Sequence, residues 1–366
     1  MSVFLEERHL ELKRRTQAFA DAAHIEREHD PRVLVSGMAG ADLLRACVPA
    51  AFGGLRDKVE LRDLCVVRAA LGYRSSLADT MFAMQGLGSY PVTLAGSDEQ
   101  KRALLPRVVS GEAICAFAIT EPEAGSDVSG VSTRAQKDGE SYVLDGAKCF
   151  ISNAGLATSY VVFARTSDDK HKGLSAFLVD GRAAGLGIET VELIAPHPIG
   201  NVSLRGVRGE LIGAEGDGFR LAMETLDLFR TSVGAAAVGM AARARDEAIA
   251  RVKTRRQFGK ALAEFQATQL AVADMALDVA TATLLVLSAA HRIDTAGGGS
   301  VDAAMAKLHA TEAAQRVIDR AVQLFGGQGV VAGVIVERLY REVRALRIYE
   351  GTSEIQKLVI ARALLR

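Results

Sequence analysis

Apolar residues in the first third of the chain recur at helical spacing: Leu5, Leu12 and Phe19 fall on one face of a helix. Turn signals interrupt that pattern at Asp30-Pro31, Pro49, Phe52-Gly53-Gly54 and Gly96-Ser97-Asp98. The spacing therefore predicts a helical domain over residues 1–112. From residue 113 the period changes. Short runs at 113–120, 141–144, 148–152, 160–165 and 174–180 have strand character. Asp145-Gly146, between two of these runs, predicts a hairpin turn. This β region extends over 113–213. After Gly213-Ala214-Glu215-Gly216-Asp217-Gly218 long helical periods return over 214–366, with charged faces such as 243–251 and a Gly-rich break at 295–300.

Helices and strands are thus segregated in the order helical, β, helical. That excludes a doubly wound parallel fold, in which they would alternate, and predicts an α+β multidomain protein. The chain has 366 residues, long enough for a sizeable core. Its 44 basic and 44 acidic residues leave no net field to attract nucleic acid or an anionic membrane, so a small molecule is the expected partner. Cys47, Cys65, Cys115 and Cys149 form no CxxC pair, which argues against a zinc site or a disulfide framework and for reduced thiols in a cytosol. No apolar run is expected to span a bilayer. The N-terminus mixes Glu6, Glu7 and Glu11 with basic residues, unlike a signal or transit peptide, so a cytoplasmic location is expected. No metal site is expected. Trp is absent, so any aromatic contact to a cofactor must come from Phe or Tyr.

Five segments have residues suited to chemistry. Phe117 to Asp127 runs from an apolar strand into a hydroxyl-bearing loop with Gly125 and Ser126. Lys148-Cys149-Phe150-Ile151-Ser152 offers an aromatic face beside a hydroxyl. Arg255-Arg256-Gln257-Phe258-Gly259-Lys260, followed by Gln266, clusters guanidiniums that suit a diphosphate. Gln323-Leu324-Phe325-Gly326-Gly327 lacks the spacing of a phosphate loop and signals a helix end. Tyr349-Glu350-Gly351-Thr352-Ser353-Glu354 places a carboxylate beside a glycine, before hydroxyls that can cap the next helix. Taken singly, each is also explained as a turn, a solvated helix end or a helix cap.

Together, in this order, they resemble the acyl-CoA dehydrogenase family over nearly the whole chain. The strongest matches are Thr120-Glu121-Pro122 with Ala124-Gly125-Ser126-Asp127, the Arg255 to Gly259 run, Phe325-Gly326-Gly327 and Tyr349-Glu350-Gly351-Thr352. The resemblance implies a helical N-terminal domain, a middle antiparallel β-barrel and a C-terminal four-helix bundle. It implies FAD as cofactor, with the isoalloxazine bordered by Phe117, Ile119, Thr120, Phe150 and Ser152, and with Gly125, Ser126 and Ile151 among the cofactor-binding residues. Arg255, Gln323 and Gly327 would reach the diphosphate and adenine from a neighbouring subunit, and Gln257, Phe258, Gln266, Leu324, Gly326, Thr352 and Glu354 complete the implied cofactor set. A homo-oligomer, tetramer or dimer, follows from that sharing. Ser126, Asp227, Arg230, Tyr349 and Gly351 would meet the acyl-CoA, with Ser126 near the pantetheine and Arg230 near the thioester. An electron-transferring flavoprotein is the implied electron acceptor.

The implied reaction is α,β-dehydrogenation to the trans-2-enoyl thioester, with Glu350 as the base and flavin N5 taking the β-hydride. Burial should raise the pKa of Glu350 toward working pH. Some relatives hold the base at the position matched here by Phe229, which cannot accept a proton. Phe117, Phe150 and Ser152 replace residues common in the family with others of the same physical role, and residues 196–209 depart from its usual loop. Gly72-Tyr73-Arg74-Ser75 is similar to a segment that holds a second carboxylate in glutaryl-CoA dehydrogenases, although an exposed Arg at a helix end accounts for it more simply. A carrier-protein-bound or dicarboxylic acyl thioester, an acyl-CoA oxidase or flavin monooxygenase on the same scaffold, and a silent flavin-binding protein are the alternatives.

Overall fold

The computed structural model describes residues 3–170, 172–297 and 299–365. In chain order it begins with α1 (Glu7–Ala22), α2 (Pro31–Gly40), α3 (Leu61–Arg74), α4 (Ser76–Ala95) and α5 (Asp98–Val109). Next come β1 (Cys115–Ala118), β2 (Arg134–Asp138), β3 (Ser141–Ser152), β4 (Ser159–Arg165), β5 (Leu174–Asp180), β6 (Leu186–Thr190) and β7 (Ile199–Ile212). Then follow α6 (Gly218–Thr254), a small hairpin of β8 (Arg256–Gln257) and β9 (Lys260–Ala261), and α7 (Gln266–Ala296), α8 (Ser300–Phe325), α9 (Ile335–Val343) and α10 (Ser353–Leu364). Of the breaks foreseen in the first third, Asp30-Pro31 and Gly96-Ser97-Asp98 are α-helix starts, while Pro49 and Phe52-Gly53-Gly54 bracket a short 3-10 turn. Asp30 caps α2 by accepting from Arg32 N, and Ser97 with Gln100 forms a capping box on α5.

The chain forms two compact units, one of Met1–Arg27, Leu61–Asp79 and Asp227–Arg366, the other of Glu28–Glu60 and Thr80–Leu226. The second unit contains the sheet. Pairings β4·β2, β2·β3, β3·β7, β7·β5 and β5·β4 close a ring, with β1 attached to β4 and β6 to β7. The barrel is antiparallel except at β1·β4 and β2·β4, which pair in parallel. Leu144, Tyr160, Val162, Phe177, Val179 and Val207 are among the side chains of its core, each at 1% exposure or less. Burying a side chain of this size contributes roughly 1.5–3 kcal/mol.

Two sequence expectations need correction here. Asp145-Gly146 is not a hairpin turn: β3 runs through it, with a register slip between Leu144 and Gly146. Gly146 is required because a Cβ there would stand 2.5 Å from Thr133 Oγ1, so this glycine marks a close approach at a bulge. The actual two-residue turn is Gly139-Glu140, between the paired Asp138 and Ser141. Residues β2, β6 and β7 were not foreseen as strands, because exposed Lys, Glu, Arg and Gly obscure their alternation.

In the first unit α3 packs closely on α6. A Cβ on Gly239 would lie 2.2 Å from Ala69 O, and one on Gly72 would lie 2.8 Å from Ala236 O, so both helices need glycine at the crossing. That approach brings Arg68 of α3 beside Ser232 of α6. Contrary to expectation, one described helix, α7, is long and apolar enough to cross a membrane. Its Ala271, Met275, Val279, Ala282 and Val286 are buried, and its Asp278 pairs with Arg316 of α8 at 2.7 Å, so here it serves as a bundle helix. The Gly-rich break separates α7 from α8, with Gly298 itself outside the described residues.

Candidate active site

Glu350 sits in the turn between α9 and α10, in the first unit. Its φ is 52°, a left-handed conformation that costs a non-glycine residue on the order of 1–3 kcal/mol. Gly351 follows at φ 89°, where a Cβ would also lie 2.4 Å from Gln356 Nε2. Donors hold the carbonyls of this strained turn. Lys307 Nζ donates to Gly351 O at 2.6 Å, and Gln356 Nε2 donates to the same oxygen at 2.9 Å. Gln356 Nε2 and Arg230 Nε each reach Glu350 O at 3.4 Å. Thr352 then caps α10 by accepting from Ile355 N, as its sequence position foretold.

One oxygen of the carboxylate has no partner. Glu350 keeps some exposure as a residue, yet its Oε2 is buried with no hydrogen-bond partner. Burial pushes its pKa up, while Arg68, Lys307 and Arg230 pull it down and Asp79 pushes it up again. Arg68 is 1% exposed and forks onto Asp79 at 2.8 and 2.9 Å, with its third nitrogen on Ser232 Oγ. Burial pushes the pKa of the Tyr349 hydroxyl up, against the pull of Arg68. Arg230, 7% exposed, pairs with Asp227 at 2.6 Å, and Asp227 also accepts from Ser300 Oγ at 2.6 Å. Phe229 is fully buried.

The second unit brings two of the predicted segments together. Cys149 N donates to Thr120 O at 2.9 Å, Lys148 Nζ to Ile119 O at 3.3 Å, and Asn153 Nδ2 to Cys115 O at 2.9 Å. Phe117 and Ile119 are buried, Ile151 is buried, and Ser152 is half-buried. Phe150 stands at φ 54° with its side chain 59% exposed, an aromatic face presented from a strained residue. Gly125 and Ser126 lie exposed in the loop beyond, where a Cβ on Gly125 would meet nothing within 4 Å. Below that loop, buried Glu121 accepts from Ser132, Thr133 and Lys148, the last at 2.7 Å.

A separate pocket of about 490 Å³ in the first unit is lined by Arg251, Arg255, Gln257, Leu262, Gln323, Leu324, Gly326 and Gly327. It thus unites most of the residues foreseen for a diphosphate. Phe258 lies outside that lining, 93% exposed at the tip of the β8–β9 hairpin, and Gln266 is exposed at the start of α7. Glu354 is exposed on the first turn of α10 and its carboxyl is held below the usual range by local hydrogen bonds.

Three family descriptions match the chain in order. They are the N-terminal domain of acyl-CoA dehydrogenase over residues 6–112, its middle domain over 116–207 and its C-terminal domain over 216–365. The chain belongs to the acyl-CoA dehydrogenase family. It is accordingly an oxidoreductase whose cofactor is FAD. This acyl-CoA dehydrogenase is 38% identical over 384 residues to the human mitochondrial short-chain specific acyl-CoA dehydrogenase, covering 100% of this chain and 92% of that one. It is 36% identical over 330 residues to the cyclohexane-1-carbonyl-CoA dehydrogenase of Geobacter metallireducens, covering 88% and 87% respectively. In structure it matches the butyryl-CoA dehydrogenase of Megasphaera elsdenii with a TM-score of 0.94, 31% identity and 99% of both chains covered.

Several residues of this acyl-CoA dehydrogenase escaped the sequence reasoning. Lys307 lies on the alanine stripe 303, 310, 314 of α8, and Arg68 on the leucine stripe 61, 64, 71 of α3, so a charge on an apolar face was the available signal. Gln356 carried none. Arg74 pairs with Asp21 at 2.5 Å and Glu26 at 3.7 Å.

Proposed function

We propose that this enzyme removes the α-proton of an acyl-CoA thioester with Glu350 as the base, yielding the trans-2-enoyl-CoA. The observation that carries this reading is the buried Glu350 Oε2, which has no hydrogen-bond partner although the backbone around it is held by Lys307, Gln356 and Arg230. A buried polar atom without a partner is expensive, and it is retained where a reacting group will meet it. Burial raises the pKa and so makes the carboxylate a stronger base, while the surrounding cations oppose that rise. The left-handed turn fixes its direction in advance.

FAD, when bound, supplies the acceptor for the hydride that leaves the β-carbon. The edge formed by Phe117, Ile119, Thr120, Phe150 and Ser152 suits the flavin ring, with an exposed aromatic face and a hydroxyl. The pocket of Arg255, Gln257, Gln323 and Gly327 suits a diphosphate. Arg230 lies against the base turn, suited to the thioester end of the substrate. Relatives named for butyryl, short-chain and cyclohexane-1-carbonyl thioesters favour a small acyl group. An electron-transferring flavoprotein is the proposed acceptor, and the buried cysteines Cys47, Cys65, Cys115 and Cys149, none in a disulfide, suit the cytoplasm.

Oligomer formation is supported by α7, which exposes Leu270, Leu277 and Leu284 at heptad spacing, at 62, 64 and 46%. The exposed Phe258 hairpin suits insertion into a partner subunit. The proposal is tested by anaerobic titration of the purified holoenzyme with a panel of acyl-CoA thioesters. Bleaching of the flavin absorbance by a short-chain member is expected, and a flavin untouched by the whole panel would refute it.

A further inference from the structure

The segment between β6 and β7, where the sequence departs from the family's usual loop, is tied to the expected flavin edge at two successive residues. His197 Nε2 lies 2.7 Å from Ser152 Oγ, and Asn153 N donates to Pro198 O at 2.7 Å. Pro196 and Pro198 flank the histidine and restrict its backbone. Burial lowers the pKa of His197 to about 4, so the ring is neutral at ordinary working pH.

We propose that His197 is a positioning residue for the flavin edge, setting which way the Ser152 hydroxyl points. The inference rests on the reading that Ser152 borders the flavin. A serine hydroxyl carries one donor and two acceptor sites, and it rotates to suit its neighbours. A neutral imidazole nitrogen at 2.7 Å removes that freedom. If Nε2 carries the proton, the serine oxygen accepts it and the hydroxyl hydrogen is left for the cofactor side. If Nδ1 carries it, the hydroxyl donates to Nε2 and presents lone pairs instead. In both tautomers the histidine decides what the hydroxyl offers, and so biases the oxidised against the reduced flavin.

The test compares the reduction potential and absorption spectrum of bound FAD, without substrate, in five holoproteins. These are wild type, Ser152→Ala, His197→Leu, His197→Gln and the double variant Ser152→Ala/His197→Leu. Ser152→Ala and His197→Leu should each shift the oxidised-to-reduced equilibrium in the same direction by up to about tenfold, or about 30 mV for this two-electron couple. The double variant should shift it no further than the larger single change, since the two residues act through one hydrogen bond. His197→Gln, which keeps a hydrogen-bonding side chain, should recover most of the shift.

A shift in Ser152→Ala with none in His197→Leu overturns the inference and leaves the flavin-edge reading standing. Unchanged flavin in Ser152→Ala overturns that reading and the inference with it. Additive shifts in the double variant overturn the coupling. Loss of FAD from both histidine variants assigns His197 a purely structural role and also overturns it.

Discussion

Lys307→Met probes the cation beneath the base turn. Methionine keeps the long apolar stem and removes Nζ, which donates to Gly351 O at 2.6 Å from a residue with no exposed surface. Two effects on stability compete. Losing a hydrogen bond to a charged donor costs about 1.5–3 kcal/mol. Relief from burying an ammonium, whose pKa burial has already brought down to about 8, returns part of that. Gln356 still donates to the same carbonyl at 2.9 Å, so a net loss of about 1 kcal/mol is expected.

The effect on the base is larger and has a definite sign. Lys307 stabilises the Glu350 carboxylate and opposes the upward push of burial. Through an effective dielectric of ~20, a unit charge close to a carboxylate contributes on the order of 1–4 kcal/mol. Partial solvent access reduces this without changing its sign. Removing the cation raises the pKa of Glu350, and only the ionised form accepts a proton. The acid limb of the kcat/KM profile therefore moves to higher pH. Above pH about 8 the wild-type lysine itself loses its proton, so the two profiles should converge there. Steady-state kinetics with a dye acceptor across pH about 6 to 9 measures both features. An acid limb that stays in place, in a variant with normal FAD content, would refute the electrostatic reasoning.

Three further outcomes are expected. Glu121→Gln should destabilise the barrel unit by about 3–5 kcal/mol in denaturant unfolding, because it leaves Lys148 buried without its ion pair; a loss under about 1 kcal/mol would contradict this. Burial pushes the Glu121 carboxyl up, but Lys148, Thr133 and Ser132 outweigh it and hold the pKa at about 2. The wild type should therefore lose this stabilisation as pH falls from 4.5 toward 2, and the variant should lack that part of the acid sensitivity. Leu277→Arg, in the exposed stripe of α7, should lower the oligomeric state measured by light scattering, and an unchanged mass would place the interface elsewhere.

Period and punctuation were sufficient to reveal the helical, β, helical order, because amphipathic stripes and capping residues are local features. The barrel's closure was not legible in the same way. It depends on β7, whose Arg205, Gly206, Arg208 and Gly209 interrupt the alternation that buries Val202, Leu204 and Val207. Asp145-Gly146 misled because a glycine for a turn and a glycine for a close approach to Thr133 look alike in one dimension. At the site, the carboxylate was visible and its supports were not. Arg68, Lys307 and Arg230 converge on Glu350 from α3, α8 and α6, a convergence that only packing creates. His197 meets Ser152 across 45 residues of sequence, with no periodic signal to join them.

The most direct test of the central claim is the rate at which saturating substrate bleaches the flavin anaerobically in Glu350→Gln, compared with wild type. The amide nearly preserves the shape of the side chain and cannot accept the α-proton. FAD content should remain normal while the bleaching rate falls by roughly four orders of magnitude or more, a loss of about 5.5 kcal/mol of transition-state stabilisation. Bleaching within about tenfold of the wild-type rate, in a variant fully loaded with FAD, would show that another group removes the proton.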